Sequence, residues 1–390
     1  MEILFWVLTL FVVYTYIGYP SLILFASKIK NKKVNNVEPS DWPTVTIIIA
    51  ARDEEKNIKK RLKNLVDQNY PAEKIEIIIV SDGSQDSTNK IVRQFGEQYE
   101  DIKVQKVVLI DYSPGRGKPY ALNMGVIQAN GEIIVFTDAR QRFQKNAVQN
   151  LVKNFSDPKV GAVSGELILT NENDASKVEM GAYWKYEKLI RKSESQFDSV
   201  VGATGAIYAI RKEHYTPIPE SILLDDVLIP MKVVLKGYRV VFESTAIAYD
   251  HISQNTQQEW RRKIRTLAGN WQLVSMFREL ILPMKNRIYF EYYSHKIFRL
   301  IVPFTLPIIF ILGMVQNGLI YSILTWMQVG LYASIVTGQI LPFTRKLRII
   351  SLCYFFGVMN AAAVAGFWYW VTGQCNQIWK PAYKLEKGEQ

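Results

Sequence analysis

Residues 75–88 read IEIIIVSDGSQDST, and this stretch decides the fold. A β-branched run predicts a strand over Ile75–Val80, and the Asp-Gly-Ser turn that follows leads into a helical pattern over Asp86–Gln98. The same succession occurs earlier, where Val45–Ala50 predicts a strand and Glu54–Asp67 a helix. Apolar strands that alternate with amphipathic helices indicate an α/β fold, a mostly parallel sheet covered by helices.

Two more strands are predicted over Val104–Ile110 and Glu132–Thr137, within an α/β region that covers roughly Pro43–Met284. Ligands of such sheets bind outside the carboxyl ends of the strands. The polar clusters that follow the strands are therefore the candidate site.

Apolar runs flank this region on both sides. Ile3–Ala26 is uncharged and long enough to cross a bilayer. A signal peptide is the alternative, but no lysine or arginine precedes the run and no small-x-small cleavage site is evident. Three more candidate transmembrane helices cover Ile297–Val315, Gly318–Leu341 and Ile349–Val371, and we expect Arg299 in the first of them to snorkel to the interface.

Basic residues orient these segments. Lys28–Lys33 places the middle of the chain in the cytoplasm, and Thr344–Arg348 places a second loop there. The uncharged loop at Gln316 and Asn317 then lies outside. Both termini would be outside as well, although lysines in the tail argue against this for the C-terminus. The pattern predicts a multi-pass protein of the inner (plasma) membrane.

The predicted organisation has five parts. A transmembrane helix (1–27) precedes a cytoplasmic α/β domain (28–253). Amphipathic interfacial helices (254–296), three transmembrane helices (297–372) and a tail (373–390) follow. The interfacial helices are predicted because Gln254–Pro283 combines large apolar residues at helical spacing with a basic face. An ordinary surface helix is the open alternative.

The charge and the cysteines exclude several classes of protein. The net charge of +11 suits contact with anionic lipid or phosphorylated ligands. No basic tail, zinc pattern or aromatic-basic repeat indicates nucleic-acid binding. The two cysteines provide no disulfide framework, and the three histidines form no recognisable metal motif.

Three clusters are suited to a nucleotide. Glu54 and Asp82 each follow a strand and could hold a base and ribose, although turns and helix caps have the same composition. The loop Gly115–Lys118 pairs two glycines with two cations, which permits close approach to phosphates. A solvated basic turn is the alternative reading of that loop.

Three further clusters are suited to the reaction. Asp138 follows a strand and offers the oxygen ligand that Mg²⁺ or Mn²⁺ takes on a diphosphate. The pair Asp225 and Asp226 could supply a general base, or could be helix caps. Arg262 and Arg265 could neutralise a departing diphosphate, or could form a basic patch facing the membrane.

The order and spacing of these clusters resemble the membrane-bound members of glycosyltransferase family 2, which include cellulose, hyaluronan and poly-N-acetylglucosamine synthases. The resemblance runs from about Val45 to Trp271. Asp82 matches the family's D-G-S turn, Asp138 the first position of Asp-x-Asp, and Arg262 with Arg265 the Q/R-x-x-R-W motif. It implies a GT-A (Rossmann-like) α/β domain combined with transmembrane and interfacial helices.

The resemblance also implies roles for single residues. Asp226 would be the catalytic base of an inverting transfer from a nucleotide-sugar, with UDP favoured, to a glycan or lipid-linked acceptor. Membrane lipids and polysaccharide-export proteins are the implied partners, and nucleic acid is not. Donor-binding residues would be Glu54, Asp82, Lys118, Asp138, Arg262 and Arg265, and the acceptor side would comprise Gly202, Thr204, Gly205, Asp225 and Trp271.

Two positions depart from the family pattern. Arg140 replaces the second aspartate of Asp-x-Asp, so Asp138 would bind Mg²⁺ or Mn²⁺ weakly and with the donor's help. Arg140 would either contact the diphosphate or pair with a nearby carboxylate. Thr266 replaces the tryptophan of the last motif, which puts processive polymerisation in doubt.

Two rival functions remain open. The first is sugar transfer to a polyprenyl phosphate, an acceptor that needs no strong base. The second is a non-catalytic membrane scaffold, which only Arg140 favours.

Overall fold

The computed structural model describes residues 1–99, 106–171, 174–177, 182–251 and 256–374. The predicted alternation of strands and helices is confirmed within these ranges. The start of the strand expected from Val104 and most of the C-terminal tail lie outside the described residues. The helices of the α/β region are Ile58–Val66, Thr88–Tyr99, Lys118–Gln128, Ala147–Val152, Ala182–Phe197 and Asp225–Leu235.

One mixed sheet organises the centre of the chain. Its strands are β1 Val45–Ala51, β2 Ile75–Asp82, β3 Lys106–Tyr112, β4 Ile133–Thr137, β5 Arg142–Phe143, β6 Val160–Asn171, β7 Asp174–Lys177, β8 Tyr208–Arg211 and β9 Arg239–His251. The strand order is β3-β2-β1-β4-β8-β6-β9-β5, and β7 is paired to β6. Strands β3, β2, β1 and β4 are parallel, as the sequence predicted. Beyond β4 the sheet continues through antiparallel pairs, apart from the parallel pair β6 and β9.

Helices cover both faces of the sheet, which explains the unbroken apolar strands. In β1, Ile47 and Ile49 belong to the core on one face, whereas Ile48 and Ala50 belong to the core on the other. A strand alternates its side chains between faces, so a doubly covered strand needs apolar residues throughout. The parallel register aligns the carboxyl ends, because Ala51 pairs with Ser81 and Ile49 with Thr137.

Among the described residues, four helices are long and apolar enough to cross a membrane: Glu2–Ile29, Tyr289–Val315, Leu319–Ile340 and Arg348–Val371. We call them the first to fourth apolar helices. The first three pack together through Phe5, which lies in one buried cluster with Ile309 and Tyr321. The second apolar helix begins at Tyr289, eight residues before the run that the sequence indicated, so the last part of the predicted interfacial segment belongs to it.

The helix Thr256–Met276 connects the fourth apolar helix to the α/β domain. Gly366 lies against it so closely that an added Cβ would be 2.9 Å from the Ala268 nitrogen. On its other side, a Cβ on Gly269 would be 2.5 Å from the Cγ of Leu224. Small residues therefore let this helix fit between the apolar helices and the loop that precedes Asp225.

Arg299 does not snorkel as predicted. Its guanidinium is ion-paired with Glu187 of the helix Ala182–Phe197 and lies 5.5 Å from the centre of the Tyr186 ring. The sequence could not indicate this, because the partner is more than a hundred residues away. The pair fastens the second apolar helix to the α/β domain.

Candidate active site

The loops after β1 and β2 are bound to each other at the carboxyl edge of the sheet. Asp53 accepts a hydrogen bond from the Gln85 N–H at 2.8 Å, and the Glu54 N–H donates to the Thr88 hydroxyl at 2.8 Å. These contacts hold Asp53 at φ 55°, a left-handed conformation uncommon outside glycine. Burial raises the pKa of Glu54. The joined loops form a platform of the kind that a base and ribose can occupy.

The Asp82 carboxylate ends β2 and is fully buried. It accepts hydrogen bonds from the Tyr112 hydroxyl at 2.8 Å and the Arg116 N–H at 2.6 Å, and both of its oxygens lie 3.0 Å from the Gly117 nitrogen. The Arg52 guanidinium lies 3.6 Å away. The sequence predicted a nucleoside contact for Asp82. In the structure this carboxylate fastens the glycine loop before Lys118, and the nucleoside contact stays a prediction.

Lys118 begins its helix directly after Gly117, which has φ 104°. Its Nζ lies 2.9 Å from Asp138 Oδ1 and 3.4 Å from Asp225 Oδ2. Burial opposes the ammonium charge, but Asp138 and Asp225 outweigh it and raise the pKa of Lys118. One lysine thus bridges two carboxylates that are far apart in the chain.

Asp138 follows β4 and keeps 39% of its side chain exposed. Partial burial alone would raise its pKa, but Lys118 outweighs this and lowers the pKa below its ordinary value, with smaller contributions from Arg140 and Arg265. The carboxylate is therefore charged and open on one side. Within the described part of the chain, no group of three or more His, Cys, Asp or Glu side chains is arranged to hold a metal ion.

Asp225 and Asp226 begin the helix Asp225–Leu235. The Asp226 carbonyl accepts a hydrogen bond from the Ala203 N–H at 2.7 Å. An added Cβ on Gly205 would lie 2.8 Å from Asp226 Oδ2, so the backbone of this loop touches the carboxylate. Burial, followed by the negative charge of Asp225, raises the pKa of Asp226 to about 6. Such a carboxylate is poised to accept a proton near neutral pH.

The predicted acceptor loop is held from behind by a half-buried arginine. Arg191 donates to the Thr204 hydroxyl at 2.6 Å and to the Ser164 hydroxyl at 2.7 Å, and Ser164 accepts the Thr204 N–H at 2.9 Å. Gly202 turns the loop at φ 80°, where a Cβ would be 3.2 Å from a methyl group of Val227. These contacts place Thr204 beside the start of the Asp226 helix.

Arg140 pairs with a carboxylate of the protein. Its Nη2 lies 3.1 Å from Asp250 Oδ2, and Asp250 is buried. Gln141 donates to the same oxygen at 3.0 Å. Of the two interpretations of the altered Asp-x-Asp, this geometry favours the one in which Arg140 turns away from the diphosphate.

The two arginines of the last motif differ in their surroundings. Arg265 lies within electrostatic range of Asp138, whereas Arg262 pairs with Glu259 of its own helix at 3.3 Å and is 45% exposed. Trp271 stacks on Trp370 of the fourth apolar helix with ring centres 5.9 Å apart. The structure therefore brings Arg265 toward the site and places Trp271 against the apolar helices.

Sequence reasoning missed Arg191, Ser164 and Asp250. None of them lies in a motif, and each acts on a residue at least 13 positions away, through a side chain that only the folded chain brings close. For Arg191 the sequence offered one weak indication, an arginine within an otherwise ordinary amphipathic helix.

Two family profiles match this chain. Glycosyl transferase family 2 matches residues 46–216, and Glycosyl transferase family group 2 matches residues 133–365. The second match alone covers more than half of the chain and includes the second and third apolar helices and most of the fourth.

Single proteins are similar as well. The probable glycosyltransferase YdaM of Bacillus subtilis is 28% identical over 315 residues, which are 78% of this chain and 71% of YdaM. The poly-beta-1,6-N-acetyl-D-glucosamine synthase of Staphylococcus aureus is 25% identical over 262 residues, 66% of this chain. The match spans only 61% of that synthase.

A solved structure shares the fold. The mannosyltransferase PcManGT of Pyrobaculum calidifontis, solved in complex with GDP-Man and Mn²⁺, superposes with a TM-score of 0.71 at 23% identity. The alignment covers 95% of this chain and 99% of that one. The GT-A fold is thereby confirmed. Because the family profile over residues 133–365 covers more than half of the chain, this chain belongs to glycosyltransferase family 2.

Proposed function

We propose that this glycosyltransferase moves a sugar, with inversion, from a nucleotide-sugar donor to a glycan or lipid-linked acceptor at a membrane. The observation that carries the proposal is the bridge from Lys118 to Asp138 and Asp225, directly beside Asp226. It unites a phosphate-binding cation, an open carboxylate and a base of raised pKa at the carboxyl edge of one sheet.

Asp226 acts on the acceptor side of the reaction. An acceptor hydroxyl attacks the anomeric carbon of the donor while Asp226 takes the hydroxyl proton. The bond from the anomeric carbon to the diphosphate breaks, and its electron pair leaves with the nucleoside diphosphate. A single displacement inverts the anomeric centre, so an α-linked donor gives a β-linked product.

Cations and loop geometry act on the donor side. Lys118 and Arg265 stabilise the charge that grows on the leaving diphosphate. Asp82 contributes indirectly, because it fixes the glycine loop that carries Lys118. The platform at Glu54 takes the nucleoside, and UDP is the nucleotide that we favour. Arg262, which is exposed and paired on its own helix, contributes less to the donor site than Arg265.

A divalent cation fits this site only with the donor's help. Asp138 supplies one charged, open carboxylate, and Arg140 is turned toward Asp250. Mg²⁺ or Mn²⁺ held by Asp138 and the diphosphate would supply charge neutralisation for the leaving group. Lys118 orients Asp138 for this role and shares its charge.

The four apolar helices support a reaction at a membrane. The basic segments Lys28–Lys33 and Thr344–Arg348 favour a cytoplasmic site and a multi-pass arrangement in the inner (plasma) membrane. The division of the chain into domains at residues 27, 253 and 372 belongs to this proposal, with the boundary before the second apolar helix moved from 296 to 288. Cooperation with polysaccharide-export proteins is also part of the proposal. Trp271, stacked on Trp370, would form the membrane end of the acceptor side.

The decisive experiment is a screen of UDP-, GDP- and dTDP-sugars with the purified full-length protein. The readout is nucleoside diphosphate release and sugar incorporation, with Mn²⁺, with Mg²⁺ and with excess chelator. We expect one nucleotide class to react, in a way that needs the cation and is lost in Asp226→Asn. Binding of a donor without any turnover would instead favour the scaffold function.

A further inference from the structure

Contacts with the first and second apolar helices fix the helix Ala182–Phe197, which carries Arg191. The Glu194 carboxylate accepts a hydrogen bond from the Tyr19 hydroxyl of the first apolar helix at 2.6 Å. The same carboxylate lies 2.7 Å from a ring nitrogen of His295 in the second apolar helix. Arg191 precedes Glu194 by three residues, so the two side chains are neighbours on the helix surface. The position of Arg191 is therefore fixed together with that of the apolar helices.

The guanidinium group of Arg191 is directed at two hydroxyl groups. It lies 4.8 Å from the centre of the Phe242 ring. It donates to the Thr204 hydroxyl at 2.6 Å and to the Ser164 hydroxyl at 2.7 Å. Burial lowers the pKa of Arg191, and two glutamates of its own helix partly offset this effect. Because those carboxylates balance its charge, this arginine is suited to holding neutral groups in place.

The two hydroxyl groups differ in the hydrogen bonds that they can still form. Ser164 accepts from Arg191 and from the Thr204 N–H, and donates to the Gly165 carbonyl at 3.3 Å, so its capacity is used. The Thr204 hydroxyl accepts from Arg191, but within the described part of the chain no group accepts its proton. Thr204 is also partly exposed. Arg191 thus leaves the Thr204 hydroxyl as a donor toward the open site.

Thr204 lies between two residues that touch Asp226. The Ala203 N–H donates to the Asp226 carbonyl at 2.7 Å, and a Cβ on Gly205 would lie 2.8 Å from Asp226 Oδ2. Because consecutive Cα atoms are about 3.8 Å apart, the Thr204 hydroxyl is at most roughly 10 Å from the Asp226 carboxylate. One or two sugar residues can span that distance.

We propose that Arg191 is a positioning residue for the acceptor and acts through Thr204, whose hydroxyl it directs to donate a hydrogen bond to an oxygen of an acceptor sugar. This rests on the proposed function, in which Asp226 deprotonates another hydroxyl of the same acceptor. The attacking oxygen bonds to the anomeric carbon, its proton goes to Asp226, and the nucleoside diphosphate leaves with the electron pair. Thr204 keeps its proton throughout.

Transfer to a sugar and hydrolysis of the donor depend differently on this arrangement. Both reactions use Asp226 and the donor site, but water needs no hydrogen bond from Thr204 to be held in place. Arg191 should therefore affect transfer to a sugar and leave hydrolysis and donor binding nearly unchanged. A residue that only stabilised the fold would affect all three alike.

The test uses the full-length protein with the nucleotide-sugar that reacts in the screen. Methyl β-glucoside, methyl N-acetyl-β-glucosaminide and methyl α-mannoside are the acceptors, and donor hydrolysis is measured without them. The variants are Thr204→Val, Thr204→Ser, Arg191→Met and the double variant of Arg191→Met with Thr204→Val. Lys192→Met is the matched control, because Lys192 is an exposed cation next to Arg191 on the same helix.

We expect Thr204→Val to lower kcat/KM for the methyl glycoside about 10-fold, since a hydrogen bond to the acceptor is lost. Arg191→Met should lower it at least as much, while donor KM and hydrolysis change less than about threefold in both variants. Thr204→Ser keeps the hydroxyl and should retain most of the transfer, and Lys192→Met should behave as the unmodified protein. Equal losses of transfer and hydrolysis would show a merely structural role and overturn the proposal.

The double variant tests whether Arg191 acts through Thr204. It should transfer sugar no more slowly than Arg191→Met alone, because the second substitution removes a hydroxyl that has already lost its orientation. Losses that multiply would show two independent roles and overturn the proposal. Thr204→Val and Thr204→Ser test the same hydrogen bond if Arg191→Met does not fold.

Hydrogen exchange separates this inference from the proposed function, because it needs no turnover. The Thr204 N–H donates to Ser164, which Arg191 holds, so this amide should exchange about 10-fold faster or more in Arg191→Met and unchanged in Lys192→Met. Faster exchange in a protein that reacts with no nucleotide-sugar would support the placement of the loop by Arg191, and the proposed function would fail alone. Unchanged exchange in Arg191→Met would overturn the proposal.

Discussion

Both carboxylate oxygens of Asp82 lie 3.0 Å from the backbone nitrogen of Gly117. The residue that the sequence assigned to the nucleoside therefore binds the loop that positions Lys118. A buried carboxylate that accepts backbone N–H groups fixes a loop more firmly than a turn residue alone can, because each of these groups would otherwise be buried without a partner.

Asp82→Ala should weaken donor binding through this loop. We expect the dissociation constant of the nucleoside diphosphate to rise about 10-fold or more, since several hydrogen bonds to a charged group are lost together. The affinity for the bare nucleoside should change much less. Calorimetry with both ligands distinguishes the two roles: an equal loss for nucleoside and diphosphate would restore the direct nucleoside contact.

Asp226→Asn should lower kcat about 10²–10⁴-fold and leave donor affinity nearly intact, because the substitution keeps the shape and removes the base. Asp67→Asn is the control, since Asp67 is an exposed carboxylate that directly follows the helix Ile58–Val66. Steady-state kinetics with saturating donor provide the measurement. Near-normal turnover in Asp226→Asn would show that Asp226 is not the catalytic base.

The activity should fall as the pH drops through about 6. The pKa of Asp226 is raised to about 6, first by burial and then by the charge of Asp225, so below that pH the base carries a proton and cannot take another. Asp225→Asn removes a neighbouring negative charge and should shift this acid limb of kcat to lower pH. A pH profile of kcat for both proteins tests this, and a shift in the opposite direction would contradict it.

Gly205→Ala should reduce kcat without a large loss of stability. The new methyl group would lie 2.8 Å from Asp226 Oδ2, and the end of that side chain is the part that can move away. Gly96→Ala is the matched control, because a Cβ there meets only the Val107 carbonyl at 3.7 Å. The kinetics and thermal unfolding of both variants are compared. Unchanged turnover in Gly205→Ala would show that the loop at Gly205 does not affect the function of Asp226.

Arg140→Ala should leave the cation requirement unchanged, whereas Asp138→Ala should remove most cation-dependent activity. Arg140 is paired with Asp250, so its loss should lower the free energy of unfolding by about 1–2 kcal/mol. Activity titrated with Mn²⁺ and with chelator, together with denaturant unfolding, measures both effects. An increased Mn²⁺ requirement in Arg140→Ala would show that this arginine contacts the diphosphate after all.

The sequence by itself determined the elements and their order. The β-branched runs of β1 and β2, with a glycine or acidic turn after each, leave few alternatives to parallel strands, because an apolar run of that length needs cover on both faces. The placement of Asp82 and Asp138 at strand ends follows from the same pattern. Helix length and hydrophobicity likewise predicted the four apolar helices, although the second begins earlier than its apolar run.

Only the tertiary structure decided which groups meet. Lys118 and Asp225 are more than a hundred residues apart, and the register and crossover of the sheet bring them within 3.4 Å. In the folded chain Arg140 pairs with Asp250 and Arg299 pairs with Glu187. The glycine loop encloses the Asp82 carboxylate. The packing of the backbone determines which side chains come within contact distance of each other. A sequence pattern indicates only contacts between residues a few positions apart. The chemistry that each residue can perform could be predicted from its type. Which residues act together depended on how the backbone packs.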